Sequence, residues 1–162
     1  ALDFKVLDSV SPVRVRSILA GLDLERTLVL VSSKSGGTIE MRSVLDAVLD
    51  HFEMYMKTEK IPSHLVAITD PGSDLEKRAN EEGWRACFPG EPTVGGRFSA
   101  LSVFGLVPAA LVGIDLGGFL GHPRHYAGQL PVRQLLERPR QIQLPYAETR
   151  ARAWPVDRAA GG

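Results

Sequence analysis

The stretch that decides the fold is residues 27–40, TLVLVSSKSGGTIE, where an apolar run leads into a turn of glycines and hydroxyl side chains and then into a helix start. A continuous β-branched run without alternation is typical of a parallel strand that is buried on both faces. The turn after such a strand lies at the carboxyl edge of the sheet, where open α/β sheets bind their ligands. The stretch therefore predicts a strand from about Thr27 to Ser32 and a ligand site directly after it.

The turn itself predicts an anion site. Gly36 and Gly37 allow the backbone to approach a ligand closely, and Ser33, Ser35 and Thr38 offer hydroxyl donors. The following helix would direct free N–H groups and the positive end of its dipole to the same place. The alternative is an ordinary strand-to-helix turn whose hydroxyls cap the helix. Phosphate binding is favoured because two adjacent glycines accompany three hydroxyls.

Strands and helices are predicted to alternate as far as about Leu116. Besides the strand above, three more strands are predicted, over Phe4 to Leu7, His64 to Thr69 and Trp84 to Phe88. The predicted helices are one begun by a Ser11 cap and Pro12, one from Thr38 to Lys57, one from Asp74 to Glu82 capped by Ser73, and an apolar one from Ser99 to Val112. A helix as apolar on all sides as the last one is expected to be buried. This order predicts an α/β fold, a three-layer αβα sandwich around a mainly parallel, doubly wound sheet of flavodoxin-like type.

The composition changes abruptly after about Leu116. Residues 117–162 are rich in proline and arginine, contain no lysine and show no sustained helical or strand period. We therefore expect one α/β domain over residues 1–116 and a divergent tail of low order over residues 117–162, with a short helix around Leu130 to Leu136 as its one candidate element.

Charge and hydropathy restrict the function classes. Lys and Arg number 19 and Asp and Glu number 19, so no overall basic field favours a nucleic acid partner. No apolar run approaches the roughly 20 residues that span a bilayer. The single cysteine, Cys87, excludes an internal disulfide framework, and the chain does not start with a basic segment leading into an apolar one. A cytoplasmic protein without a membrane partner is expected, with Cys87 in the core.

A second motif occupies residues 92–102, PTVGGRFSALS, which lead into the start of the last apolar helix. Gly95 and Gly96 form another turn that a ligand can approach, and Arg97 adds a cation that could face the ligand held by the first turn. An arginine also stabilises negative charge that develops on substrate oxygens, as an isomerisation through an enediolate requires. In isolation, a surface arginine would be the simpler interpretation.

Residues 32–40, SSKSGGTIE, resemble the phosphate-binding signature of sugar isomerase (SIS) domains, and residues 94–99, VGGRFS, closely resemble the signature of the glucose-6-phosphate isomerase family. The resemblance extends from about Phe4 to Leu116 and includes family members fused to a transaldolase. It implies an SIS-like fold in which Gly95 and Gly96 contact the sugar and Arg97 is a catalytic residue beside its reacting end. The phosphate would be held by Ser33, Lys34, Ser35, Gly36, Gly37 and Thr38.

The resemblance also implies a reaction, the reversible interconversion of glucose 6-phosphate and fructose 6-phosphate through a cis-enediol, in glycolysis and gluconeogenesis. It implies no metal or organic cofactor, and a homodimer in the full-length family. The family's glutamate base, and a later histidine and lysine, come from segments downstream of Arg97. Glu137 and Glu148 are the glutamates after Arg97, but neither lies in a family-like context. We therefore predict sugar-phosphate binding by a chain that is incomplete for catalysis.

The alternatives to this interpretation are a sensor, a hydrolase and a metal site. A non-enzymatic phosphosugar sensor would use the same turn, and a DNA-binding helix-turn-helix that would support it is not visible. A serine hydrolase needs a Gly-x-Ser-x-Gly turn, and residues 32–36 lack the first glycine. His122 and His125 form a His-x-x-His pair, but Pro123 lies between them and no third ligand follows at a suitable spacing, so no metal site is predicted.

Overall fold

A sheet of three parallel strands forms the centre of the computed structural model, which describes residues 3–116. The strands are β1 (Val29–Ser32), β2 (Leu65–Thr69) and β3 (Ala86–Pro89), and the helices are α1 (Pro12–Leu19), α2 (Ile39–Tyr55), α3 (Asp74–Glu81) and α4 (Val103–Leu111). Short 3-10 helices lie at Leu24–Arg26, Thr58–His64 and Gly96–Leu101. The predicted tail, the helix around Leu130 to Leu136 and the candidates Glu137, Glu148, His122 and His125 lie outside the described residues.

The strands are arranged in the order β1-β2-β3, with Val31 opposite Ala67 and Ala67 opposite Cys87. All residues of the central strand β2 are buried, as expected for a strand that is covered on both faces. Because all three strands run in the same direction, the turns that follow them meet at one edge of the sheet. The first predicted site follows β1 at this edge.

Helices cover both faces of the sheet. Alternate residues of β2 point to opposite sides, and Leu65 and Ala67 pack into a cluster with buried side chains of α1, α2 and α3, including Val15, Leu45, Val48, Phe52 and Leu75. Val66 and Ile68 pack into the other cluster, with Ala86, Phe88, Val107 and Leu111 from β3 and α4. The predicted α/β sandwich with a parallel sheet is thereby confirmed.

The spacing of the apolar residues predicted α2 correctly, and the Ser73 cap predicted the start of α3 correctly. Leu45, Val48 and Phe52 are the buried residues of α2, as the 3.6-residue spacing predicts. The hydroxyl oxygen of Ser73 accepts a hydrogen bond from the backbone N–H of Glu76 at 3.0 Å, which confirms the predicted cap of α3. That cap fixes the start of α3 beside the predicted phosphate turn.

Two predictions near the N-terminus were wrong. Residues 4–7 form no strand, and Phe4 and Val6 are about half exposed, because an apolar run this short becomes a strand only where a sheet edge receives it. Ser11 precedes α1 but its side chain makes no capping hydrogen bond, and its own N–H is bound by the hydroxyl of Ser9 at 3.1 Å. Pro12 does begin α1 as expected.

The predicted apolar helix from Ser99 to Val112 is two elements. A 3-10 helix ends at Leu101, and α4 begins after Ser102, whose hydroxyl oxygen accepts a hydrogen bond from the N–H of Phe104 at 3.3 Å. The expectation that this helix is buried all round was wrong within the described residues. Its buried side chains are Leu106, Val107 and Leu111, and of these Val107 and Leu111 pack into the cluster with β2 and β3.

Cys87 is partly buried in β3, next to the larger core cluster. Burial raises the pKa of its thiol to about 12, and the nearby carboxylate of Glu76 contributes to the same shift. The thiol is therefore protonated at neutral pH, which suits the predicted packing role and not a nucleophile. Within residues 3–116, none of the helices has the length and apolar character needed to cross a bilayer.

Candidate functional site

The turn over residues 33–38 lies at the carboxyl edge of the sheet, where it is fixed to the end of β2. The N–H of Ser33 donates to the carbonyl of Ile68 at 3.0 Å. The carbonyl of Lys34 accepts hydrogen bonds from the N–H of Asp70 at 3.0 Å and from the hydroxyl of Thr69 at 3.3 Å. The segment that follows β1 is thus attached to the segment that follows β2.

Two serine hydroxyls accept hydrogen bonds from backbone N–H groups of the same turn. The N–H of Gly36 donates to Ser33 Oγ at 3.2 Å, and the N–H of Gly37 donates to Ser35 Oγ at 3.4 Å. Neither serine hydroxyl donates a hydrogen bond to another of the described residues, so both retain a hydrogen for a ligand oxygen. Ser35 and Gly37 are exposed, and a ligand can therefore reach this side of the turn from solvent.

Gly36 is required by both the backbone conformation and the space around it. Its φ of 67° lies in the left-handed region, which residues with a side chain rarely adopt. A β-carbon at this position would lie 2.8 Å from Leu75 Cβ and 2.9 Å from the backbone nitrogen of Leu75. The turn therefore packs directly on the first turn of α3.

Thr38 begins α2 without capping it. Its backbone is extended, with φ −67° and ψ 138°, and its side chain makes no capping hydrogen bond. Thr38 and Ile39 are exposed, so the start of this 17-residue helix faces solvent beside the turn. The structure thus disfavours the interpretation in which the hydroxyl of Thr38 serves only as a helix cap, and the helix start retains its capacity for an anion.

The ammonium group of Lys34 is already bound. Lys34 Nζ donates to Asp70 Oδ2 at 2.6 Å and to the carbonyl of Glu91 at 3.1 Å. Asp70 was not among the predicted site residues, because nothing local connects it to a lysine 36 positions earlier. The signal that could have found Asp70 is the Asp-Pro-Gly-Ser turn directly after β2, because the turns that follow parallel strands meet at one sheet edge.

The second motif follows β3 at this edge. The N–H of Gly90 donates to the carbonyl of Thr69 at 2.7 Å, and the Lys34 bond to Glu91 joins the loop that leads to Arg97 to the first turn. Arg97 is exposed, and no hydrogen bond or ion pair engages its guanidinium within residues 3–116. The structure brings together the two segments that carry the motifs and leaves Arg97 accessible to a ligand.

Arg42, near the start of α2, is a second cation beside the first turn, and it was not among the predicted site residues. Its Nη2 atom lies 3.9 Å from the position of a β-carbon at Gly37 and donates to Asp74 Oδ2 at 2.8 Å. Side chains of a helix point back toward its N-terminus, so a residue in the first turn of α2 lies over the preceding segment. This direction is the signal that could have located Arg42 at the turn.

The described histidines and acidic residues suggest no other chemistry at this edge. His64 Nδ1 lies 2.8 Å from the carbonyl of Thr27, just before β1 begins and hence at the opposite end of that strand from Ser33, which argues against a serine nucleophile activated by this histidine. Within residues 3–116, histidine, cysteine, aspartate and glutamate form no group of three that could hold a metal ion. A cavity of about 350 Å³ lies on α1 instead, lined by Pro12, Val13, Arg16, Ser17 and Ala20.

Comparison with known proteins gives a consistent result. Residues 1–120 match the family model described as phosphoglucose isomerase. A glucose-6-phosphate isomerase of Synechococcus sp. (strain JA-3-3Ab) is 47% identical over 124 residues, which cover 74% of this chain and 22% of the relative. One from Desulfitobacterium hafniense (strain Y51) is 39% identical over 136 residues, which cover 82% of this chain and 25% of the relative. The chain thus spans a quarter or less of the length of these relatives.

Two solved structures are similar to this chain. A hypothetical protein of Thermus thermophilus matches with a TM-score of 0.67 and 38% identity over 80% of this chain and 32% of its own. A glucose-6-phosphate isomerase from Chlamydia trachomatis matches with a TM-score of 0.53 and 32% identity over 60% of this chain and 18% of its own. Both similarities agree with the α/β fold described above.

Proposed function

The chain belongs to the phosphoglucose isomerase family, and from this premise we propose that it is the sugar-phosphate-binding part of a glucose-6-phosphate isomerase. The observation that carries the proposal is the turn after β1. There, two hydroxyls with unused hydrogens, two glycines and the uncapped start of α2 meet at a solvent-accessible sheet edge. A phosphate dianion matches this set of donors and the positive end of the helix.

In this proposal the phosphate and the reacting end of the sugar are held by different segments. The phosphate is bound by the turn residues Ser33, Lys34, Ser35, Gly36, Gly37 and Thr38. Gly95 and Gly96 allow the loop after β3 to approach the sugar, and Arg97 lies beside the two carbons between which a proton is transferred. The connection between the loops through Lys34 and Glu91 supports this arrangement.

The proposed reaction is the interconversion of glucose 6-phosphate and fructose 6-phosphate through a cis-enediol. A base removes a proton from one carbon and returns it to the neighbouring carbon, while a hydroxyl proton moves between the two oxygens, so that no electron acceptor is consumed. The Arg97 guanidinium would stabilise the negative charge on these oxygens in the enediolate. The base is assigned to the part of the complete protein outside residues 3–116, and the complete protein is proposed to act in the cytoplasm as a homodimer without cofactor.

Titration calorimetry of the 162-residue chain with fructose 6-phosphate tests the proposal. Saturable binding with a Kd of about 10 μM to 1 mM is expected, in the range of ordinary enzyme substrates. Fructose without the phosphate should give no measurable binding. Absence of heat up to millimolar fructose 6-phosphate, in a sample shown to be folded by circular dichroism, would contradict the proposal.

Matched variants of α2 locate the binding site. Thr38→Val keeps the shape and removes a hydroxyl that caps nothing, so the Kd should rise about tenfold while stability is retained. Ser43→Ala removes an exposed hydroxyl that donates to the carbonyl of Ile39 within the same helix, and the Kd should stay unchanged. A coupled assay for glucose 6-phosphate formation by the same samples distinguishes an isomerase from a protein that binds the sugar without turnover.

A further inference from the structure

Asp70 holds Lys34 by both its backbone and its side chain. The N–H of Asp70 donates to the carbonyl of Lys34 at 3.0 Å, and its carboxylate oxygen Oδ2 accepts from Lys34 Nζ at 2.6 Å. The hydroxyl of Thr69 donates to the same Lys34 carbonyl at 3.3 Å. Lys34 lies within the proposed phosphate turn, so these bonds fix the position of the turn relative to the end of β2.

The Lys34 ammonium also reaches the third loop. Nζ donates to the carbonyl of Glu91 at 3.1 Å, in the segment between β3 and the second motif. One charged group therefore joins the segments that follow all three strands of the described sheet. A displacement of this ammonium toward a ligand would break both connections at once.

The environment of Asp70 favours retention of this pair. The side chains of Lys34 and Asp70 are 29% and 20% exposed, and Asp70 Oδ1 is buried without a hydrogen-bond partner within residues 3–116. Lys34 is the cation that pairs with Asp70 in this part of the chain. Removal of its ammonium would leave a largely buried carboxylate without a counter-charge, which is unfavourable.

Gly90 lies against the Asp70 carboxylate on the other side. A β-carbon at Gly90 would lie 2.5 Å from Asp70 Oδ1 and 2.6 Å from Phe104 Cε2. The absence of a side chain at Gly90 thus provides the space that the carboxylate occupies beside α4. The carboxylate is confined between β3 and the phosphate turn.

We propose that Asp70 is a positioning residue for sugar-phosphate binding: it acts through Lys34 to hold the turn over residues 33–38 in its binding geometry. The Lys34 ammonium serves this connection, so Lys34 contributes to the phosphate site through its backbone in the turn and not through its ammonium. The inference rests on the proposed function, and it assigns the direct contacts to the N–H groups and hydroxyls of the turn.

The Asp70→Asn variant distinguishes this proposal from a direct contact between Lys34 and the phosphate, because the two predict opposite changes in the Kd. Asparagine keeps the size of the side chain and removes its charge. The Kd for fructose 6-phosphate should rise about tenfold because the turn loses its charged attachment. If Lys34 were a direct ligand, the same substitution would free its ammonium for the phosphate and the Kd would fall, which would overturn the proposal.

Asp74→Asn is the matched control. Asp74 begins α3 at the same sheet edge and pairs with Arg42, but its side chain is 65% exposed. This variant removes a negative charge near the anion site and releases Arg42, but it leaves the attachment of the turn to the end of β2 in place. Its Kd should be equal to or slightly below that of the unsubstituted chain, because exposed ion pairs contribute little and a carboxylate repels phosphate.

A double-mutant cycle with Lys34→Met tests whether the two residues act as one unit. If Lys34 acts only through Asp70, the double variant should bind within about threefold of either single variant. Multiplicative losses would show that the two side chains contribute independently and would overturn the proposal.

Amide hydrogen exchange without ligand keeps the inference separate from the proposed function. The N–H groups of Ser33 and Gly36 are hydrogen-bonded in the turn, and they should exchange about tenfold faster in Asp70→Asn and in Lys34→Met, but not in Asp74→Asn. An unchanged rate in folded Lys34→Met would overturn the connection even if Asp70→Asn failed to fold. If the variants exchange faster but the unsubstituted chain binds no sugar phosphate, the proposed function is refuted. The connection of the turn to Asp70 through Lys34 is then still supported.

Discussion

Gly36→Ala should lower the free energy of unfolding by about 2–4 kcal/mol. Alanine at φ 67° costs about 1–2 kcal/mol in backbone strain. The added β-carbon would also lie 2.8 Å from Leu75 Cβ and 2.9 Å from its backbone nitrogen. Leu75 cannot move away easily, because it is buried in the first turn of α3, two residues after the Ser73 cap. A decrease in Tm of about 5–15 °C is expected in a thermal melt.

Gly37→Ala is the control for this substitution. Gly37 is the next residue of the same turn, but its φ is not positive, and a β-carbon there would meet no atom closer than 3.9 Å. Its effect on the free energy of unfolding should stay within about 0.5 kcal/mol. Equal effects of the two substitutions would show that the turn does not pack on α3 as described.

Arg97→Ala should raise the Kd for 6-phosphogluconate about 10- to 100-fold and leave the Kd for inorganic phosphate unchanged. This ligand carries a carboxylate at the end of the sugar opposite the phosphate. A guanidinium beside the reacting end would bind that carboxylate, whereas the turn after β1 would bind the phosphate in either ligand. Calorimetric titration of the same protein with both ligands measures the difference.

The loss of the Arg97 side chain should affect ligand binding without affecting stability. Arg97 is exposed and makes no ion pair or hydrogen bond within residues 3–116, so its loss should change the free energy of unfolding by less than about 0.5 kcal/mol. Arg97→Lys keeps the charge but cannot form the bidentate pair, and it should recover only part of the affinity. Equal losses for both ligands, or no loss for either, would contradict the proposed position of Arg97.

The sequence was sufficient for those elements whose signals are local. The 3.6-residue spacing of Leu45, Val48 and Phe52 located α2, and the hydroxyl of Ser73 marked the start of α3. The wrong strand over residues 4–7 shows the limit of such signals, because a short apolar run does not by itself specify what it pairs with. Apolar composition likewise located α4 without showing which of its faces is covered within the described residues.

The candidate site was predictable to a similar extent. Glycines and hydroxyls after an apolar run identified the turn, and its place at the sheet edge followed from the parallel order of the strands. The partners of Lys34 were not predictable, because Asp70 and the carbonyl of Glu91 are 36 and 57 positions away in the chain. Such contacts depend on how the three loops meet in space. The roles of Gly95, Gly96 and Arg97 toward a ligand stay predictions.

The most direct test of the central claim is a map of amide chemical shifts of the ¹⁵N-labelled 162-residue chain during titration with fructose 6-phosphate. The two-segment site predicts that the largest changes occur at Gly36, Gly37 and Thr38 and, in the same titration, at Gly96 and Arg97. A common Kd from both groups would show that one ligand contacts both motifs. Changes confined to other surfaces, such as the cavity on α1 at Val13, would contradict the account.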